Sequence, residues 1–200
     1  MMKTTELTMT REWDKTFPKS DKVNHSKVTF VNHFGIARVA GNGYFDAADS
    51  KEARKAARDA INAQRTEDFK NGSYQRAGGV VDPLPEDAPF FVKDYYDYYK
   101  TGRGYHPRSL NSNDGWAASA GTSLMNMRLF TYAGEIDGAV LMIHGEKAHS
   151  CYLSRDTFRL LKGDNKELMI IPGAVHTDLY DRKDIIPFGK IQRFFEEHLK

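Results

Sequence analysis

The residues able to do chemistry in this sequence are a few histidines, one serine in a suggestive setting and a single thiol. His176 lies in PGAVHTDLYD, a charged, Gly-containing loop between an apolar run and a closing helix. An imidazole titrates near neutral pH, so it can take up and return a proton there. Ser119 sits in AASAG, an A-x-S-x-G variant of the strand-to-helix elbow that exposes a nucleophilic serine. That elbow needs a buried strand before it, and SLNSNDGW reads as a polar loop, so the local context fails the test and Ser119 reads rather as a helix N-terminal residue. Cys151 stands two residues from His149, and a thiolate beside a base is a nucleophile. As a small hydrophobe it needs no such role. His144, His149, His176 and Asp178 include metal-ligating types, but no H-E-x-x-H or related spacing joins them, and no metal is expected. Gly78 and Gly79 make no phosphate-binding fingerprint, so no nucleotide cofactor is expected either. The rings of YYDYY can line a pocket, or pack a helical layer.

The elements that must position these groups are legible from periodicity. Residues 139–143 (AVLMI) and 168–171 (LMII) are continuous apolar runs, the pattern of parallel strands buried on both faces. Between them SRDTFRLLKGDNKE offers a short amphipathic helix ended by a Gly-Asp-Asn turn, which makes a right-handed βαβ unit. A final helix starts near Pro187, with Phe188, Ile191, Phe195 and Leu199 on one stripe. Upstream, VNHSKVTFVNHF (23–34) alternates like a half-buried strand. Ala53, Ala56, Ala57, Ala60 and Ile61 form a helical stripe that Asp49 and Glu52 can cap. The stretch 71–89 is rich in turn residues and reads as a long loop. A helix then carries Phe91, Tyr95, Tyr98 and Tyr99 on one face and ends at Gly102, and another runs from about Ser119 to Phe130.

Two hundred residues with 40% hydrophobic content suffice for a sizeable core, and 29 Lys plus Arg nearly balance 27 Asp plus Glu. The resulting charge of +2 steers the chain toward neither nucleic acid nor anionic lipid. MMKTTELTMTREWDKTF lacks the apolar core of a signal peptide, and no window is long enough to span a membrane. With one cysteine and so no internal disulfide, a cytoplasmic location is the simplest expectation.

HGEKAHS after the first apolar run, then KELMIIPGAVHTDLYD and IPFGKIQRFFEEHL, resemble the C-terminal end of α/β-hydrolases, above all bacterial dienelactone-hydrolase-like members. The resemblance implies an α/β fold with residues 1–37 as an N-terminal strand segment, 38–132 as a helical cap and 133–200 as the C-terminal half. It also implies that His176 is the triad histidine. Where such hydrolases carry the acid, this chain has Ala148, and Glu146 is the nearest carboxylate. Glu146 can orient the imidazole as the third triad member does, or be an ordinary solvated residue. The order Ser119, Glu146, His176 follows the family's order of nucleophile, acid and base. Asp178 and Asp181 are expected to shape the loop by bonding backbone amides.

No convincing nucleophile elbow precedes the cap-like segment, and only two confident parallel strands are present. The expectation is therefore a truncated α/β-hydrolase fold, with a small, mostly parallel sheet, a helical cap and the central segment missing by natural deletion or artefact. Two functions compete. One is hydrolysis of esters or related small acyl compounds; the other is a catalytically silent remnant serving as a binding or oligomerisation module, its copies joined through exposed sheet edges. An incomplete chain that folds poorly is the third alternative, marked by a melt without a cooperative transition.

Overall fold

A computed structural model describes residues 13, 18–22, 50–126 and 130–199. The strand expected over 23–34 and the capping residue Asp49 lie outside the described residues. The first described helix, α1 (Lys51–Asn71), is capped instead by Ser50, whose side chain accepts from Ala53 N at 3.0 Å. Gly72 closes it in the left-handed conformation, φ +60°. The alanine stripe does not anchor this helix: Ala53, Ala56 and Ala60 are exposed. Its C-terminal end is held by Asp68, which is 4% exposed and accepts from Gln64 Nε2 at 2.8 Å and from Gln75 N at 3.0 Å.

The turn-rich stretch contains a short strand. β1 (Arg76–Ala77) pairs antiparallel with β2 (Trp116–Ala117), Arg76 opposite Ala117 and Ala77 opposite Trp116. This closure depends on Gly115, whose φ is +82° and whose added Cβ would lie 2.3 Å from Ala77 O. Between the strands come α2 (Phe90–Tyr99) and the single turn α3 (Leu110–Asn113). The face Phe91, Tyr95, Tyr98 and Tyr99 of α2 is half-buried. Helix α2 stops at Tyr99 with Lys100 as its cap, so Gly102 lies beyond the end it was expected to mark. After β2 a 3₁₀ turn (Ala118–Ala120) leads into α4 (Gly121–Asn126), where one longer helix was expected.

The C-terminal third is a βαβ unit followed by a helix. β3 (Val140–Gly145) and β4 (Lys166–Ile171) run parallel from Val140 opposite Lys166 to Gly145 opposite Ile171, and α5 (Cys151–Leu160) crosses between them and packs on both. Then come the single turn α6 (Asp178–Asp181) and α7 (Phe188–His198). The described residues thus form a small α/β fold with one parallel and one antiparallel pair in separate two-stranded sheets.

Burial is the main departure from expectation. Every residue of β3 and β4 except Gly145 is only half-buried, because each strand pairs on one side alone among the described residues. On α7 the buried ring is Phe194, at 6% exposure, whereas Phe188, Phe195 and Leu199 of the expected stripe are 55%, 52% and 76% exposed. No helix among the described residues is long and apolar enough to cross a membrane.

Candidate functional site

His176 is positioned by the loop that leaves β4, at the carboxyl end of the parallel pair. The loop folds tightly over the end of β3: Lys147 N donates to Ala174 O at 2.9 Å, and Glu146 N to Ile171 O at 2.9 Å. Gly145 permits this approach, since a Cβ there would come within 2.5 Å of Ala174 O and 2.8 Å of Val175 O. Asp178 fixes the next turn by accepting from Val175 N at 2.9 Å. Thr177, fully buried, donates its hydroxyl to Asp94 Oδ1 on α2.

Arg103 ties this loop to the segment after α2. It donates to both carboxylate oxygens of Asp181, at 2.9 and 2.7 Å, and to Thr177 Oγ1 at 3.2 Å and Thr177 O at 3.3 Å. It also reaches Asp97 and lies over the Tyr98 ring at 5.4 Å. The fork explains why Asp181 pairs with a guanidinium instead of bonding the loop's own amides.

Three histidines gather above the strand ends. The His176 ring lies 6.0 Å, centroid to centroid, from His144 and from His149. His149 stacks on Phe91 at 4.6 Å, and Tyr95 presents its edge or face to His149 at 5.5 Å and to His176 at 5.3 Å. Removal from water lowers the pKa of all three imidazoles; neighbouring histidines lower His144 and His176 further, while the Asp94 carboxylate opposes the shift at His149 and His176. The rings are therefore held neutral near pH 7, the state in which an imidazole accepts a proton.

A hydrogen-bonded chain runs through the cluster. Ser154 Oγ lies 2.7 Å from His144 Nδ1, His144 Nε2 3.1 Å from Ser150 Oγ, Ser150 Oγ 3.2 Å from His176 Nδ1, and His176 Nε2 2.8 Å from Tyr180 OH. Burial and a hydrogen bond to Tyr99 push the Tyr180 phenol far up, so it stays protonated.

The other expected site residues lie elsewhere. The Glu146 carboxylate accepts from Gly173 N at 2.8 Å and so braces the loop, while the hydrogen bonds of the His176 ring go to Ser150 and Tyr180. The carboxylate acting on the cluster is Asp94, contributed by α2. Ser119 is 2% exposed on the 3₁₀ turn that packs against α1, preceded by the two-residue antiparallel strand β2 instead of a buried parallel strand. Cys151 is buried at the start of α5, and among the described residues no hydrogen bond joins its thiol to a histidine. The grouping with metal-ligand spacing among the described residues is not the histidine cluster but Glu167, Glu197 and His198 near the surface, where Glu167 already pairs with Lys190. Ser150, Ser154 and Tyr180 escaped the reading of single motifs. Their signal was spacing, since Ser150 and Ser154, like His176 and Tyr180, are four apart and face the same way on a helical turn.

No protein-family model matches the chain. It is 42% identical over 167 residues to PA2218, an uncharacterized protein of Pseudomonas aeruginosa, spanning 83% of this chain and 44% of that one. It is 27% identical over 179 residues to YcjY, an uncharacterized protein of Escherichia coli K12, spanning 84% of this chain and 55% of that one. The crystal structure of PA2218, described as a hypothetical protein, superposes with a TM-score of 0.71, over 78% of this chain and 48% of that chain. The chain thus spans about half the length of the curated relatives it matches.

Proposed function

We propose that the chain derives from an α/β-hydrolase of the dienelactone-hydrolase-like kind, in truncated form, and that its site hydrolyses esters or related small acyl compounds without metal or cofactor. The observation that carries this reading is His176: a half-buried imidazole kept neutral by burial, on a loop at the carboxyl end of parallel strands, in hydrogen-bond contact with a serine hydroxyl. A base so placed removes a proton from a hydroxyl or a water as it attacks an acyl carbon, a contribution of about 10²–10⁴-fold. The aromatic wall of Phe91, Tyr95 and Tyr180 suits a small, largely apolar acyl group.

The test is hydrolysis of p-nitrophenyl acetate and butyrate by the purified, folded chain. Turnover above that of free imidazole, reduced at least about 10²-fold in His176→Ala, is expected. A folded chain no faster than free imidazole, or one indifferent to that substitution, overturns the reading.

A second reading, a silent module that associates with its own copies, is favoured by the apolar face of α7. Covering the exposed parts of Phe188, Phe195 and Leu199 would contribute about 3–5 kcal/mol per chain by ordinary apolar burial, which favours association. Sedimentation equilibrium together with the ester assay separates the two: a folded, self-associating chain without turnover is the silent module.

A further inference from the structure

We propose that Ser150 is the nucleophile of this site, with His176 Nδ1 as the base that takes its proton. The inference rests on the hydrolase reading and adds to it a named acceptor atom for the acyl group.

The placement of Ser150 Oγ between two imidazole nitrogens, 3.2 Å from His176 Nδ1 and 3.1 Å from His144 Nε2, carries the assignment. In this assignment the ring hydrogen of His176 sits on Nε2, where the Tyr180 oxygen 2.8 Å away accepts it. A neutral imidazole protonated on Nε2 has its lone pair on Nδ1, 3.2 Å from Ser150 Oγ. The serine hydroxyl therefore donates to His176. The 3.1 Å contact on the other side of Oγ then comes from His144 Nε2–H, which leaves His144 Nδ1 to accept from Ser154 at 2.7 Å. Every member of the chain is satisfied when it runs this way, and the serine proton then points at a base.

Position supports the same role. Ser150 precedes α5, a ten-residue helix, but makes no side-chain cap bond, so its hydroxyl is committed to the two imidazoles alone. Charge developing on Oγ forms beside the positive end of the helix and beside a donating His144 N–H. The imidazolium formed on His176 is favoured by the Asp94 carboxylate, the charge that already raises its proton affinity.

The steps balance. Oγ forms a bond to the carbonyl carbon as its proton passes to His176 Nδ1; the carbon–oxygen bond to the leaving group breaks, and the leaving alkoxide takes that proton. Water then adds to the acyl carbon and gives its proton to Nδ1. The bond to Oγ breaks, and the serine recovers the proton. With a fluorophosphonate the Oγ–P bond forms, the P–F bond breaks and fluoride leaves, so the adduct persists.

The experiment is labelling of the full chain with a fluorophosphonate probe, with peptide mapping, in wild type, Ser150→Ala, Cys151→Ala, Ser119→Ala and His176→Asn, each shown to be folded by circular dichroism. An adduct on the peptide containing Ser150 is expected. It is absent in Ser150→Ala, retained in Cys151→Ala and Ser119→Ala, and formed about 10²-fold or more slowly in His176→Asn. Should Ser150→Ala not fold, the mapped wild-type adduct decides alone. Labelling on any other residue overturns the assignment of Ser150 while leaving the hydrolase reading intact, and no labelling of folded wild-type chain overturns both. A second readout is independent of activity: imidazole ¹⁵N shifts must show His176 protonated on Nε2, and a hydrogen found on Nδ1 overturns the proposal.

Discussion

Arg103→Ala removes the fork that holds the His176 loop to the segment after α2. The Arg103 and Asp181 side chains are 21% and 31% exposed, between an open surface pair, worth up to about 1 kcal/mol, and a buried one, whose breaking costs about 3–5 kcal/mol. The bond to Asp97, whose side chain is 64% exposed, adds little. The bonds to Thr177 add a modest amount, because Thr177 still has Asp94 as a partner. The expected loss is about 2–3 kcal/mol, which for a chain of this size lowers Tm by about 5–10 °C. Urea unfolding of Arg103→Ala, Asp181→Ala and the double variant measures it, with a coupling energy of at least about 1.5 kcal/mol expected between the two residues. Arg103→Lys keeps the charge but not the fork and should recover less than half of the loss. A loss in Arg103→Ala below about 0.5 kcal/mol, or a coupling near zero, would refute the reasoning that this bidentate pair anchors the loop.

Three further outcomes are expected. The folded-state pKa values of His144, His149 and His176 are lowered, so the unfolded chain binds protons first on acidification; stability is held above about pH 6.5 and falls as pH drops through and below it. Urea titrations between pH 8 and 5 should show that slope, flattened in His176→Ala, and a slope of opposite sign contradicts it. Gly145→Ala forces its Cβ against two loop carbonyls, so it should cost about 1–3 kcal/mol and slow ester hydrolysis more than the stability loss explains; unchanged stability by thermal melt would show that the close approach is not needed. Phe195→Glu removes apolar surface from the exposed face of α7 and should weaken concentration-dependent self-association in sedimentation equilibrium, with helix content unchanged. Equal association in both proteins would place the contact elsewhere.

The elements were legible where the signal is local. Apolar runs marked β3 and β4, a Pro at the right place marked the start of α7, and the loop position of His176 followed from its neighbours in sequence. What was not legible depends on residues far apart. A continuous apolar run implies burial on both faces only if other strands flank it, and β3 and β4 have none among the described residues. The α7 stripe was read from spacing, but which ring turns inward depends on where the helix lands, and Phe194 is the one that does. At the site, Glu146 was selected because it is close in sequence, whereas Ser150, Asp94 and Arg103 come to the loop from other elements. Histidine spacing gave no hint of the cluster, which exists only because β3, the start of α5 and the loop after β4 meet at one sheet end.

The parallel pair also bears on how the chain acquires this shape. Each partner in β3 is separated from its partner in β4 by the same 26 positions, so the entropy of closing that loop, about 3 kcal/mol, is incurred once and the following pairs zip without further closure. The Arg103–Asp181 fork joins residues 78 apart and is a contact of later formation. Breaking the fork should therefore speed unfolding and leave the refolding rate nearly unchanged, whereas a substitution that weakens the β3–β4 register should slow refolding itself.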